Sequence, residues 1–91
     1  MDKKGVRLII HGKVQGVFFR ASTKDKANEL RLTGFVRNRE DGTVEVVAEG
    51  DRDQLQKLVD WCREGPELSH VKDVQLDWQT YVAQFEEFTI N

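Results

Sequence analysis

Phe35-Val36-Arg37-Asn38-Arg39-Glu40-Asp41-Gly42-Thr43-Val44-Glu45-Val46-Val47-Ala48-Glu49 is the stretch from which the rest of the chain is ordered. Its middle, Glu40-Asp41-Gly42, ends in an Asp-Gly pair, a strong hairpin signal because both residues tolerate positive φ. Phe35–Arg39 and Thr43–Glu49 read as the two strands, the second with Val44, Val46 and Ala48 on one face. Two consecutive strands therefore occupy the centre of the sequence, and the fold depends on what flanks them.

Upstream, Gly5–Gly12 alternates, with Val6, Leu8 and Ile10 on one face and Arg7, Ile9 and His11 on the other. Lys13–Phe19 is too short and too glycine-marked for a regular element. From Arg20 to Thr33, Thr23, Ala27 and Leu30 recur at helical spacing, and Gly34 stands where a helix C-terminus takes a left-handed residue. Downstream, Gly50-Asp51 opens a second helix with Asp51 or Asp53 as its cap, and Leu55, Leu58, Val59 and Cys62 form its apolar stripe. Gly65-Pro66 closes it. Val71–Trp78 alternates again, with Val74, Leu76 and Trp78 on one face, and Phe88 and Ile90 give a short terminal extension or strand. Strand, helix, strand, strand, helix, strand is the order of the ferredoxin-like α+β fold, a split βαβ with two helices on one face of an antiparallel sheet.

At 91 residues this is expected to be one domain, spanning 1–91. A hydrophobic share of 38% and a charged share of 33% fit a globular protein, with no apolar run near the ~18 residues of a membrane span and no leader-like N-terminal core. A cytoplasmic monomer is expected. One cysteine, Cys62, excludes an internal disulfide and a cysteine-based zinc cluster. A net charge of −2 provides no broad basic field for nucleic acid or membrane. RNA binding, which this element order also serves, is disfavoured because Gly5–Gly12 and Thr43–Glu49 lack the aromatics on which bases stack.

Topology brings one corner of the chain into focus. A right-handed crossover through the first helix makes the first two strands finish at the same end of the sheet, so the Lys13–Arg20 loop and Asn38 should meet. If Val36 packs under the helices, Asn38 shares its face and points toward the start of the first helix. A loop with Gly12 and Gly16 running into a helix N-terminus can turn several N–H groups inward, a nest for one small anion. Arg20 can fork two oxygens of that anion, as lysine cannot. Asn38 can donate to and accept from one water, orienting it without removing its proton. No serine, cysteine or histidine lies within Gly12–Arg20, and no His/Cys/carboxylate spacing suits a metal. Such a corner suits a phosphate whose leaving group needs no proton, and an acyl phosphate meets that condition.

Each of these residues also has a plainer reading. Arg20 alone could cap its own helix, Asn38 could make a turn bond beside Glu40-Asp41-Gly42, and the glycines could serve turn geometry. His11 is expected on the helix-free face or an edge and His70 in a connecting loop. Cys62, Trp61 and Trp78 read as packing residues.

Taken whole, Ile10-His11-Gly12-Lys13-Val14-Gln15-Gly16-Val17-Phe18-Phe19-Arg20 resembles the phosphate-loop signature of the acylphosphatase family, and Gly34-Phe35-Val36-Arg37-Asn38 with Gly42-Thr43-Val44 and Gly50 resembles its second signature. The similarity spans nearly the whole chain. It implies a metal-free, cofactor-free hydrolase of small acyl phosphates with no covalent intermediate. Arg20 and the backbone of Val14, Gln15, Gly16, Val17, Phe18 and Phe19 would bind the phosphate, and Asn38 would orient the water. Phe18 stands where many members have glycine and others carry a large residue, which bears on substrate access. Gly65–Val71 follows the family outline only loosely. A second reading is a non-catalytic module binding a phosphate or carbamoyl-phosphate-like anion, disfavoured because no adjoining domain is expected to receive an intermediate.

Overall fold

Alternation in the first strand, β1 (Lys3–Lys13), sends Val6, Leu8 and Ile10 to one side of the sheet, where all three are fully buried. The computed structural model describes residues 2–91. After β1 come α1 (Phe19–Glu29), β2 (Thr33–Asn38), β3 (Val44–Asp51), α2 (Arg52–Glu64), β4 (His70–Thr80) and β5 (Phe88–Ile90). The strands form one sheet in the order β4-β1-β3-β2-β5. Val6, Leu8 and Ile10 are paired with Ala48, Val46 and Val44, and those in turn with Gly34, Val36 and Asn38, so one face is continuously apolar up to Asn38. Against it α1 buries Phe19, Thr23 and Ala27, and α2 buries Leu55, Leu58, Val59 and Cys62. Each such aliphatic side chain contributes roughly 1.5–3 kcal/mol when fully buried.

The ferredoxin-like order is present, with one correction: the sheet is mixed, because β5 joins β2 in parallel, Gly34 beside Phe88 and Val36 beside Ile90. The cause lies in the segment that precedes β5. It leaves β4 at the end of the sheet where β2 begins, crosses that end, and so sets off along β2 in the same direction. The crossing is fastened to the helix-free side. Buried Glu49 accepts from the N–H groups of Val82 (2.8 Å) and Gln84 (3.0 Å), and the Phe85 ring meets Phe35 edge-on.

α1 also departs from expectation, ending at Glu29 rather than at Thr33. Leu30 caps it by donating to Lys26, Arg31 takes the left-handed position at φ 59°, and the Leu32 N–H returns to Ala27 at 2.9 Å. Burial of Leu30 and Leu32 holds this reversal in place. Gly34 is accordingly not the helix stop. It lies within β2 at φ 142°, and a Cβ there would fall 1.9 Å from the Val47 carbonyl oxygen, so the glycine is required by the closeness of β3. At α2 the cap is Asp51, which accepts from the Asp53 N–H at 3.0 Å, and Gly65 closes the helix by donating to Trp61 at 2.8 Å. His70 opens β4 instead of sitting in a loop, and β2 stops at Asn38, one residue before the expected Arg39.

On the helix-free face the buried carboxylate of Glu45 accepts from Arg7 at 2.6 Å and Arg37 at 2.5 Å, linking β1, β3 and β2. Burial acts to raise this carboxyl, but the two arginine hydrogen bonds outweigh it and hold it below its ordinary value.

Candidate functional site

β1 and β2 flank β3 and both run antiparallel to it, so they finish together: Val44 of β3 has Ile10 on one side and Asn38 on the other. Just past Ile10 the ladder to β4 shifts register between His11 and Gly12. A Cβ on Gly12 would lie 2.1 Å from the His70 carbonyl oxygen, so a glycine lets β4 close in where β1 bends away. The chain then enters the Val14–Phe18 loop, anchored in the core by Val14 and Val17 while Gly16 and Phe18 remain exposed.

Side chains fix this loop to the neighbouring hairpin. Gln15 Nε2 donates to the carbonyl oxygens of Arg39 and Thr43, both at 2.8 Å, spanning the neck of the β2–β3 turn. Asp41 shapes the turn itself, accepting from the Thr43 hydroxyl (2.6 Å) and N–H (3.0 Å), and these bonds hold its carboxyl below the usual range. The loop ends at Phe18 with φ 61° and ψ 19°, a left-handed N-cap without a side-chain hydrogen bond to the helix. Among the described residues, the N–H groups of Gln15, Gly16, Val17 and Phe18 donate to no other group, and the first helical bond is from Ser22 N to Phe18 O at 3.0 Å. A run of uncommitted donors therefore leads into the positive end of α1.

Between this loop and β2 lies a cleft of about 320 Å³. Val14, Gly16 and Phe18 form one wall, Phe19, Arg20 and Ala21 of α1 a second, and Asn38 and Ile90 the third. Arg20 is half-buried, and the ion pairs among the described residues use other partners: Arg7 and Arg37 with Glu45, Lys26 with Glu29, Arg39 with Asp41. Its guanidinium is uncommitted. Asn38 Oδ1 is buried and meets no donor of the protein, an arrangement that ordinarily costs ~1–3 kcal/mol.

Of the residues singled out by sequence, Val14, Gly16, Phe18, Phe19, Arg20 and Asn38 border one cleft. Gln15 and Val17 do not face it with their side chains: the first holds the hairpin, and the second packs in the core. Ile90 and Ala21 were not anticipated. Ile90 carries no local signal, since its position depends on pairing with Val36 across more than fifty residues of chain. Phe19 reaches inward, its ring 5.8 Å from that of Trp61.

Other reactive groups lie elsewhere. Cys62 is fully buried in α2, and burial pushes its thiol up, away from the thiolate form. His11 reaches Gln75 at 3.5 Å, and His70 is exposed at the start of β4. Among the described residues no group of three His, Cys, Asp or Glu side chains is assembled for a metal, and no helix is long and apolar enough to cross a membrane.

The chain as a whole is similar to known proteins. A family model described as Acylphosphatase matches residues 6–90. A protein of Pelotomaculum thermopropionicum named acylphosphatase is 49% identical over 90 residues, covering 99% of this chain and 98% of that one. The crystal structure of acylphosphatase from Bacillus subtilis superposes with a TM-score of 0.93 at 35% identity, covering 97% of this chain and 98% of that one. An acylphosphatase structure from Coxiella burnetii gives 0.92 at 40% identity, covering 99% and 94%.

Proposed function

We infer the reaction from one premise: the chain belongs to the acylphosphatase family, and it is an enzyme that hydrolyses acyl phosphates. How it does so is our proposal. Substrate phosphate occupies the Val14–Phe19 turn, where backbone N–H groups and the α1 N-terminus meet two or three of its oxygens. Arg20 forks the same phosphate, and its fixed charge stabilises the negative charge spread over the equatorial oxygens in the transition state. A water held by the Asn38 amide attacks phosphorus in line with the acyl oxygen. The new P–O bond forms as the P–O bond to the acyl group breaks. Carboxylate departs unprotonated, and the protons of the water stay with the phosphate product or pass to solvent.

What supports this reading is that Val14, Gly16, Phe18, Arg20 and Asn38 border one cleft, while the loop N–H groups, the Arg20 guanidinium and Asn38 Oδ1 have no partner among the described residues. Turning Oδ1 toward a cleft water breaks no existing bond, so the unmet acceptor is free to be satisfied when the substrate complex forms. With no base at hand, the rate rests on positioning and electrostatics, which suits a carboxylate leaving group.

The test is hydrolysis of acetyl phosphate by the purified protein and two variants. Arg20→Lys keeps charge but loses the fork, and kcat/KM is expected to fall by about a hundredfold or more. Asn38→Ala is expected to lower kcat by a similar factor with KM nearly unchanged, the mark of a group acting on the water rather than on bound substrate. Full activity in Asn38→Ala would remove the water-orienting role. Tight binding of phosphate with no turnover in the unmodified protein would favour a purely binding module.

A further inference from the structure

We propose that the end of the sheet away from the catalytic cleft carries a second binding site, which takes a nucleoside triphosphate. Lys3, Lys4 and Arg52 hold its phosphates, and the rings of Trp78 and Tyr81 stack its base. The site is independent of the reaction assigned to the cleft.

The 11 residues of β1 separate Lys3 from the loop that follows Lys13, a span on the order of 30 Å. Three segments converge at the Lys3 end. Lys3 stands opposite Asp51, Lys4 lies between Gly50 and Thr80, and the Arg52 N–H donates to the Asp2 carbonyl oxygen at 2.9 Å. Past β4 the chain is fixed by the Val82 N–H on Glu49. Between these ends lies a hollow of about 560 Å³, a size that suits a small molecule, with Lys3, Lys4, Arg52, Trp78 and Tyr81 in its walls and no carboxylate among them.

In a chain of net charge −2, these three cations form no ion pair among the described residues. Asp51, opposite Lys3, commits its carboxylate to the Asp53 N–H. Two of the cations meet rings instead: Lys3 Nζ lies 5.4 Å from the centre of Tyr81, and Arg52 Cζ lies 4.9 Å from that of Trp78. A guanidinium stacked on an indole keeps its N–H groups, which lie in its own plane, free to donate to an anion. Lys4 has neither an ion pair nor a side-chain hydrogen bond among the described residues, and Trp78 is 36% exposed.

Chemistry selects the occupant. Lys3 and Lys4 are adjacent in a strand, so their stems leave β1 on opposite faces. A chain of linked phosphates reaches both and Arg52 as well, where a single phosphate is too small. The exposed aromatic surface beside the cations is what a base stacks on, and a bare polyphosphate leaves it unused.

Calorimetric titration of ATP, tripolyphosphate and adenosine into the purified protein, in metal-free buffer of low salt, tests the site, with thermal melting to show that each variant is folded. ATP is expected to bind about tenfold tighter than tripolyphosphate, and adenosine weaker than either. Arg20→Ala should retain ATP binding, since the catalytic cleft does not supply it. The double variant Lys3→Ala with Lys4→Ala should weaken ATP about tenfold or more. Lys57→Ala with Lys72→Ala removes the same charge elsewhere and should leave the affinity nearly unchanged. Trp78→Leu with Tyr81→Leu should bring ATP down to the affinity of tripolyphosphate. Loss of ATP binding in Arg20→Ala assigns the nucleotide to the catalytic cleft and overturns the second site. Equal weakening by the two lysine pairs, or no ATP binding at all, overturns it too. Tripolyphosphate binding as tightly as ATP overturns the nucleotide as occupant.

Discussion

Gln15 shows how a side chain that never faces the cleft governs it. Its single amide nitrogen supplies two hydrogen bonds that join the Val14–Phe18 loop to the β2–β3 turn, through Arg39 O and Thr43 O. Gln15→Leu keeps the approximate shape and leaves two carbonyls without a donor. A loss of about 1–3 kcal/mol in urea unfolding is expected, together with a fall in kcat, because the loop and Asn38 are no longer held in register. Unchanged stability would mean that water replaces the amide at no cost. At this scale the sequence was informative where residue chemistry is local: Arg20 at a helix entrance and Asn38 in an apolar-alternating strand both stood out. It was silent on the inward use of Gln15, since nothing in a glutamine between Val14 and Gly16 declares which distant carbonyls it will meet.

Among the elements, β2 and β5 contain the two surprises, and both arise from contacts between strands. Gly34 was read as a helix terminator because glycine after a helical pattern has that meaning most often. The structure assigns the terminating conformation to Arg31, and Gly34 instead admits β3, whose Val47 oxygen would collide with any Cβ. Gly34→Ala is therefore expected to destabilise by several kcal/mol in chemical denaturation, far more than a helix C-terminal glycine replacement of ~1 kcal/mol. β5 depends on Glu49, which holds the preceding segment through Val82 and Gln84. In Glu49→Gln, amide hydrogen exchange should accelerate at those two positions and along Phe88–Ile90, while exchange in β1 stays slow. Equal exchange throughout would show that Phe85 on Phe35 alone secures the crossing.

Across the whole molecule, Glu45 links three strands through Arg7 and Arg37, and its carboxyl lies below its ordinary value of 4.5. A carboxyl depressed in the folded state contributes stability above that value, and the contribution is lost as pH falls from about 4.5 through the lower folded value. Both arginines are partly solvated, so the contribution is modest. The urea midpoint should decline more steeply below pH ~4.5 in the unmodified protein than in Glu45→Gln, and identical acid profiles would dismiss the effect. The element order and the shared corner of loop and Asn38 were legible because periodicity and chain crossover are set by short stretches. The parallel fifth strand and the place of Ile90 in the third wall of the cleft were not, because they depend on where the Tyr81–Glu87 segment crosses.

β1 is first in the chain yet lies inside the sheet, with Gly5 paired both to Glu49 and to Gln79. Neither of its ladders can close until a long loop has been ordered, so the entropy of closure is paid before most native contacts exist. Stopped-flow refolding should accordingly fall in the milliseconds-to-seconds range rather than the microseconds of helical bundles.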